Sequence, residues 1–195
     1  MLELREVASV FSGLPARGGN HGSAQFMRLA DLTELKAGRM PIMARGEPPE
    51  VARALPIEDG DLIVASRGSS TDVCTASAII FGAYISLDLY LVRPDAKRID
   101  SQYLRAFLEL PAAQAVLASE KQGSGLARLP KESLEKLLIP VPPLNRQRLI
   151  AALALCFEDE RKLLKRLGEL KESVGRDALS RTMKGPEVKY SRRSV

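Results

Sequence analysis

The residues of this chain that could support catalysis are few, and their spacing does not assemble a site. The single histidine, His21, lies in the loop Arg17-Gly18-Gly19-Asn20-His21-Gly22-Ser23, so a histidine-based triad would rest on it alone. A DNA amino-methyltransferase is expected to carry an Asn/Asp-Pro-Pro-aromatic motif. Here Pro142-Pro143 precede Asn145, with no aromatic residue near them. A nuclease of the Pro-Asp…Glu-x-Lys type would have to bring Pro94-Asp95 to Glu169-Leu170-Lys171, over 70 residues away on a stretch of helical spacing. Gly18-Gly19 and Gly123-Ser124-Gly125 lack the Gly-Lys-Ser/Thr that grips phosphates. Cys74 and Cys156 show no metal spacing and fit a reducing compartment. These residues point to no catalysis by this chain, no cofactor and no metal.

Residues suited to recognition are better supplied. Arg67, Ser69, Ser70 and Thr71 share one polar loop; Lys121, Gln122, Ser124 and Arg128 share another; Arg17, Asn20 and His21 share a third. Arg39 and Arg45 add cations in the loop-rich region between residues 36 and 56. Arg and Lys match guanine edges, Asn and Gln match adenine edges, and Ser or Lys can hold phosphates. Polar loops also occur without any ligand, so position must decide which of these residues count.

The elements that would place those loops can be read from pattern. Residues 4–10 mix helical and strand signals and end at the turn Phe11–Pro15, and residues 25–29 read as a short strand closed by Asp31-Leu32. Glu58-Asp59-Gly60-Asp61 reads as a turn into a buried strand, Leu62–Ala65. Ala76–Phe81 reads as another apolar strand. Ile85–Leu91 reads as a strand with Ile85, Leu87, Leu89 and Leu91 on its core face and Ser86, Asp88 and Tyr90 opposite. Asp100 or Ser101 can cap a helix, Pro111 suits the first turn of a second running to about Ser119, and residues 131–138 make a short third.

Pro140, Pro142 and Pro143 fix φ and remove donors, so they predict an extended strap, with Asn145 as N-cap of a long helix. Leu149, Leu153, Cys156, Leu163, Leu167, Leu170 and Val174 follow the alternating four-three spacing of a coiled-coil seam, and Ile150, Phe157 and Leu164 widen it. From Asn145 to Ser180 such a helix is about 54 Å long. Three segments result: 1–140 as a recognition domain, 141–183 as strap and helix, and 184–195 as a basic disordered tail.

At 195 residues with 45% hydrophobic content, the chain can bury one good core, and it shows no spanning apolar run and no signal pattern. A cytoplasmic location follows as the expectation, without membrane contact. Its net charge of +5 is uneven. Residues 1–144 hold 16 Lys and Arg against 17 Asp and Glu, while residues 145–195 hold 13 against 7. An anionic partner fits that bias, although the first segment lacks the charge for tight non-specific DNA binding.

Five segments in this order resemble the specificity (S) subunit of type I restriction–modification enzymes. They are Leu4–Val10 with Gly13, Phe26–Leu32, Gly60–Gly68, Gly123-Ser124, and Pro142–Gln147, and the likeness runs from about residue 3 to residue 180. The resemblance implies an α+β target-recognition domain followed by a long coiled-coil-type helix. It implies a non-catalytic subunit that directs a DNA methyltransferase, and a restriction subunit where one is present, to a bipartite site on double-stranded DNA. S-adenosylmethionine would belong to the methyltransferase alone. Arg146 stands where the family usually has Glu. Full-length S subunits carry two such domains and two helices, so this chain resembles half of one. Two copies are then expected to pair antiparallel through Leu149, Leu153, Phe157, Leu163, Leu167, Leu170 and Val174. A different class of function is a scaffold of a defence complex whose recognition domain no longer binds specific DNA.

Overall fold

Apolar runs bounded by turn residues give this chain short strands, and the caps between them give short helices. The structure, a computed structural model, describes residues 1–15, 22–51, 54–68, 70–123 and 127–184. In chain order the elements are β1 (Leu2–Glu3), α1 (Leu4–Val7), β2 (Ala8–Ser12), β3 (Ala24–Met27), α2 (Leu29–Lys36), β4 (Ala44–Gly46), β5 (Leu62–Ala65) and β6 (Val73–Thr75). There follow β7 (Tyr84–Ile85), β8 (Leu89–Pro94), α3 (Ser101–Leu108), α4 (Pro111–Ser119), α5 (Lys131–Glu135), β9 (Leu138–Ile139) and α6 (Leu144–Lys184). The fold is α+β with a long C-terminal helix.

An antiparallel sheet in the order β2-β8-β5-β6 forms the centre of the first unit. Its two middle strands, β8 and β5, are buried on both faces. Leu62, Val64, Tyr90 and Val92 face one core with α1, α3, α4 and α5. Ile63, Ala65, Leu89 and Leu91 face a second core with Met27, Leu32, Ile57, Ile80 and Ile85. A three-stranded sheet, β4-β3-β7, covers that second side, with β3 and β7 parallel. A two-stranded pair, β1-β9, ties the N-terminus to the segment before the prolines.

The turn into β5 is fixed by its own aspartate. Asp61 accepts the Glu58 backbone N–H at 2.8 Å and two Arg93 donors, Nε and Nη2, each at 2.8 Å. Arg93 sits in β8, so one carboxylate staples the start of β5 to its central neighbour. Asp100 caps α3 as expected, accepting the Tyr103 N–H at 2.9 Å, and α4 begins at Pro111 and ends at Ser119.

Several elements differ from expectation. Asp31-Leu32 do not close a strand but lie in α2, because the Asp31 carboxylate turns back to the Arg28 N–H at 2.8 Å and starts a helix there. The run 76–81 is a turn, closed by Ile80 N–H to the Ser77 carbonyl at 2.9 Å, and only its neighbour β6 is a strand. The strand expected over 85–91 is two strands, β7 and β8. Leu89 N–H reaches the Ser86 carbonyl at 3.0 Å, which throws Leu87 into solvent while Ile85, Leu89 and Leu91 keep to one core. Tyr90, expected on a polar face, is buried against the other core. The helix expected over 131–138 stops at Glu135, and Leu138-Ile139 pair with β1.

The strap is clasped by Gln147. Its side chain is fully buried, accepting the Asp100 N–H at 2.8 Å and donating to the carbonyls of Arg98 at 3.0 Å and Pro142 at 2.7 Å. Helix α6 begins at Leu144, two residues earlier than Asn145 capping would give, since Pro143 supplies the carbonyl for the N–H groups of Arg146 and Gln147. The chain forms two compact units, Met1–Ala151 and a unit from Ala152 onward. Of the tail expected to be disordered, 184–195, Lys184 is instead the last residue of α6, and residues 185–195 lie outside the described residues.

Cys74 is part of the second core's surround, and burial pushes its thiol up to about 12. The sign is that of a raised acid: the folded state is favoured while the thiol stays protonated, and that advantage is lost as pH climbs from the unfolded value toward 12. Iodoacetamide at mildly alkaline pH should therefore spare Cys74 in the native chain and label it after unfolding, as peptide mass spectrometry would show.

Candidate nucleic-acid interface

The polar loops at one end of the central sheet converge, and main-chain bonds hold them together. Ala65 N–H to the Asp72 carbonyl, at 2.8 Å, closes the loop between β5 and β6. Ser66 donates its N–H to the Asp88 carbonyl at 2.9 Å and accepts the Leu129 N–H at 2.8 Å. Arg67 and Arg128 are bridge partners, and Gln122 and Arg128 exchange two backbone bonds of 2.9 Å. Residues far apart in sequence, 66–68, 86–88, 121–123 and 127–129, thus share one platform. Gly68 makes this possible with a φ of +106°, a conformation that side chains rarely take.

Four of the residues singled out by type meet there. Arg67 Nε lies 3.0 Å from Asp88 Oδ1, a charge contact rather than a directed hydrogen bond. Lys121 Nζ donates to the Gly68 carbonyl at 2.8 Å; burial pushes its ammonium below the ordinary lysine value, against the pull of Asp72. Arg128 donates to the Leu87 carbonyl at 3.3 Å with its guanidinium 5.9 Å from the Tyr90 ring centroid. Gln122 is exposed beside them, and Ser70 is exposed on the Arg67 loop. Behind the loop, the Gln114 amide holds both backbone groups of Thr71, at 3.1 and 2.9 Å.

Arg17, Asn20, His21, Ser69 and Ser124 lie outside the described residues. Arg39 follows the end of α2 and Arg45 lies in β4, and among the described residues no hydrogen bond or ion pair joins them to the platform. Arg39 pairs with Glu34, which raises the guanidinium and holds the carboxyl below its usual range. Arg45 is exposed on β4, opposite Gln25. Asp88 and Tyr90 were not singled out by type. Ser86-Leu87-Asp88 carried a turn signal that the alternation of the neighbouring leucines masked.

The platform offers forked donors from two arginines, one ammonium and one acceptor carboxylate, on a rigid support. That set suits a polyanion with readable edges better than a small ligand. The second candidate surface is α6. Leu149 and, in the unit from Ala152 onward, Leu153, Phe157, Leu163, Leu167, Leu170 and Val174 are all exposed, from 47% to 72%. Polar residues on the same helix pair along it, Lys162 with Glu158 at 2.8 Å and Arg166 with Glu169 at 3.5 Å.

The fold has relatives among known proteins. The sequence model of the family described as "Type I restriction modification DNA specificity domain" matches residues 38–167. No curated protein matches. Among solved structures, the HsdS subunit from Thermoanaerobacter tengcongensis aligns with a TM-score of 0.60 at 22% identity, covering 85% of this chain and 38% of that one. The type I restriction-modification S subunit from M. genitalium aligns at 0.57 and 14% identity, covering 88% and 42%. A chain from a structure of complex assembly and conformational transition in the type I R-M system aligns at 0.63 and 22% identity, covering 90% and 42%. The chain spans about two fifths of the length of these structures. At such identities the likeness concerns the fold.

Proposed function

The chain belongs to the type I restriction–modification DNA specificity domain family, and from that premise we propose that it is a non-catalytic subunit that selects the DNA sequence on which a separate methyltransferase acts. The observation that carries this reading is the convergence of Arg67, Lys121, Gln122 and Arg128 on one main-chain-locked platform. In this reading the protein works in the cytoplasm, on double-stranded DNA. It holds no cofactor, S-adenosylmethionine being bound by the methyltransferase. It serves a restriction subunit as well where the system has one. Two copies joined through α6 would present two platforms, making the recognised site bipartite.

Charge sets the division of labour. Residues 1–144 carry a balance of −1, so the long-range attraction that supports non-specific binding is missing while specific contacts are present. The chain should bind its site tightly only together with its methyltransferase. Anisotropy titrations of the chain alone and of the complex, on cognate and random duplexes, test this. Equal affinity of the isolated chain for random DNA and of the complex for its site would refute the proposal, as would a complex without sequence preference.

A further inference from the structure

We infer that Arg67 and Asp88 act as one reading unit for a single G·C base pair, Arg67 addressing guanine and Asp88 the cytosine across from it. This deepens the proposed function and rests on it. Arg67 Nε stands 3.0 Å from Asp88 Oδ1, which leaves Nη1 and Nη2 without a partner among the described residues. Two forked donors beside one acceptor match the major-groove edge of that pair in order: guanine N7 and O6 accept, cytosine N4 donates. Neither A·T nor T·A offers two adjacent acceptors followed by a donor.

The alternative for an exposed arginine in such a protein is a phosphate contact, and the pairing argues against it. A carboxylate 3.0 Å from the guanidinium cancels its charge toward a phosphate, and would itself repel one. A neutral pair gains nothing from backbone anions but loses little by meeting a base edge. Both side chains are available, at 41% and 45% exposure, and both stand on fixed backbone. Asp88 is held through its carbonyl by the Ser66 N–H at 2.9 Å, and Arg67 neighbours Ser66 while bridging to Arg128. The contact between them is an ion pair without a directed hydrogen bond, so turning the carboxylate toward a new donor gives up part of the ion pair but no hydrogen bond.

The test is selection from a randomised duplex library by the full chain in complex with its methyltransferase, for wild type and for Arg67→Ala, Arg67→Lys, Asp88→Ala and Asp88→Asn. Wild type should select a motif containing a G·C pair. All four variants should relax that same pair, by about tenfold or more, and leave the other positions as they were. Arg67→Lys keeps the charge but loses the fork, so a phosphate role would leave its motif unchanged. Asp88→Asn keeps the shape of the turn and guards against a folding defect in Asp88→Ala. If wild type selects a motif and the Arg67 and Asp88 variants keep it, or relax different positions, the reading unit is wrong while the proposed function stands. If wild type selects no motif, both fall.

Discussion

Asp61→Ala should lower the stability of the first unit by about 3 kcal/mol, the low end of the range for breaking a buried ion pair. The carboxylate is almost wholly buried and receives three hydrogen bonds, two from Arg93 and one from the Glu58 N–H. Without it, Arg93 keeps the Pro56 carbonyl at 3.0 Å and an exposed Glu58 at 3.2 Å, and the Glu58 N–H loses its acceptor. The guanidinium is 28% exposed, so water recovers part of its solvation, which is why the low end applies. For a unit of this size the midpoint of thermal unfolding should fall by roughly 6–12 °C. Circular dichroism melts and urea titrations measure it. Asp61→Asn, which keeps the shape and loses the charge, should fall between the two. A loss below about 1 kcal/mol would mean that the Asp61–Arg93 staple is as dispensable as an ordinary surface pair.

Leu163→Glu with Leu167→Glu should convert the chain from an associated form to a monomer without altering the first unit's melting. Between Leu153 and Val174 the seam side chains are about half exposed or more, on a helix 41 residues and about 62 Å long. Covering each such side chain fully is worth about 1.5–3 kcal/mol, set against the mutual repulsion of two copies that each hold 13 Lys and Arg to 7 Asp and Glu over residues 145–195. A self-complementary stripe is most simply covered by its own copy across a two-fold axis, and the antiparallel arrangement lets both copies use the same residues. Identical chains so paired would read inverted repeats. Light scattering on wild type and the double variant measures the association, and mapping of methylated positions measures the symmetry. A wild-type monomer, or an asymmetric methylated site, would refute the pairing.

How far the sequence announced this molecule depended on whether a local signal had a competitor. Leu62–Ala65 was legible because a turn with Gly60 precedes an apolar run, and α3 and α4 were legible because Asp100 and Pro111 admit few other roles. The run 76–81 misled because five apolar residues and Ser77 fit a strand as well as a turn whose Ile80 is buried and whose Ile79 and Phe81 are exposed. At 85–91 a true alternation spanned a turn, since Leu87 happened to keep the period while leaving the sheet. The platform was half legible. Arg67, Lys121, Gln122 and Arg128 could be named by type, but their meeting depends on β-bridges over dozens of residues, and Asp88 became visible only through its neighbours. Gln147 could be picked out as part of a motif, whereas its role as clasp rests on carbonyls and an N–H from three separate positions.

The bonds that assemble the platform run almost entirely between main-chain atoms: Ser66 to Asp88, Leu129 to Ser66, Gln122 to Arg128 and back. Beneath it, Gly13 lies so close to the Ser86 carbonyl that a Cβ there would sit 1.9 Å from the oxygen, so the turn rests on backbone again. Among the described residues no side-chain hydrogen bond from 67, 88 or 122 builds that frame, and Arg128 adds one, to the Leu87 carbonyl at 3.3 Å. Such a site can drift to a new target by exchanging a few side chains, with little cost to folding and no rebuilding of loops. If the chain selects one DNA sequence over its rivals, as proposed, that separation of frame from lettering makes specificity a readily evolvable trait.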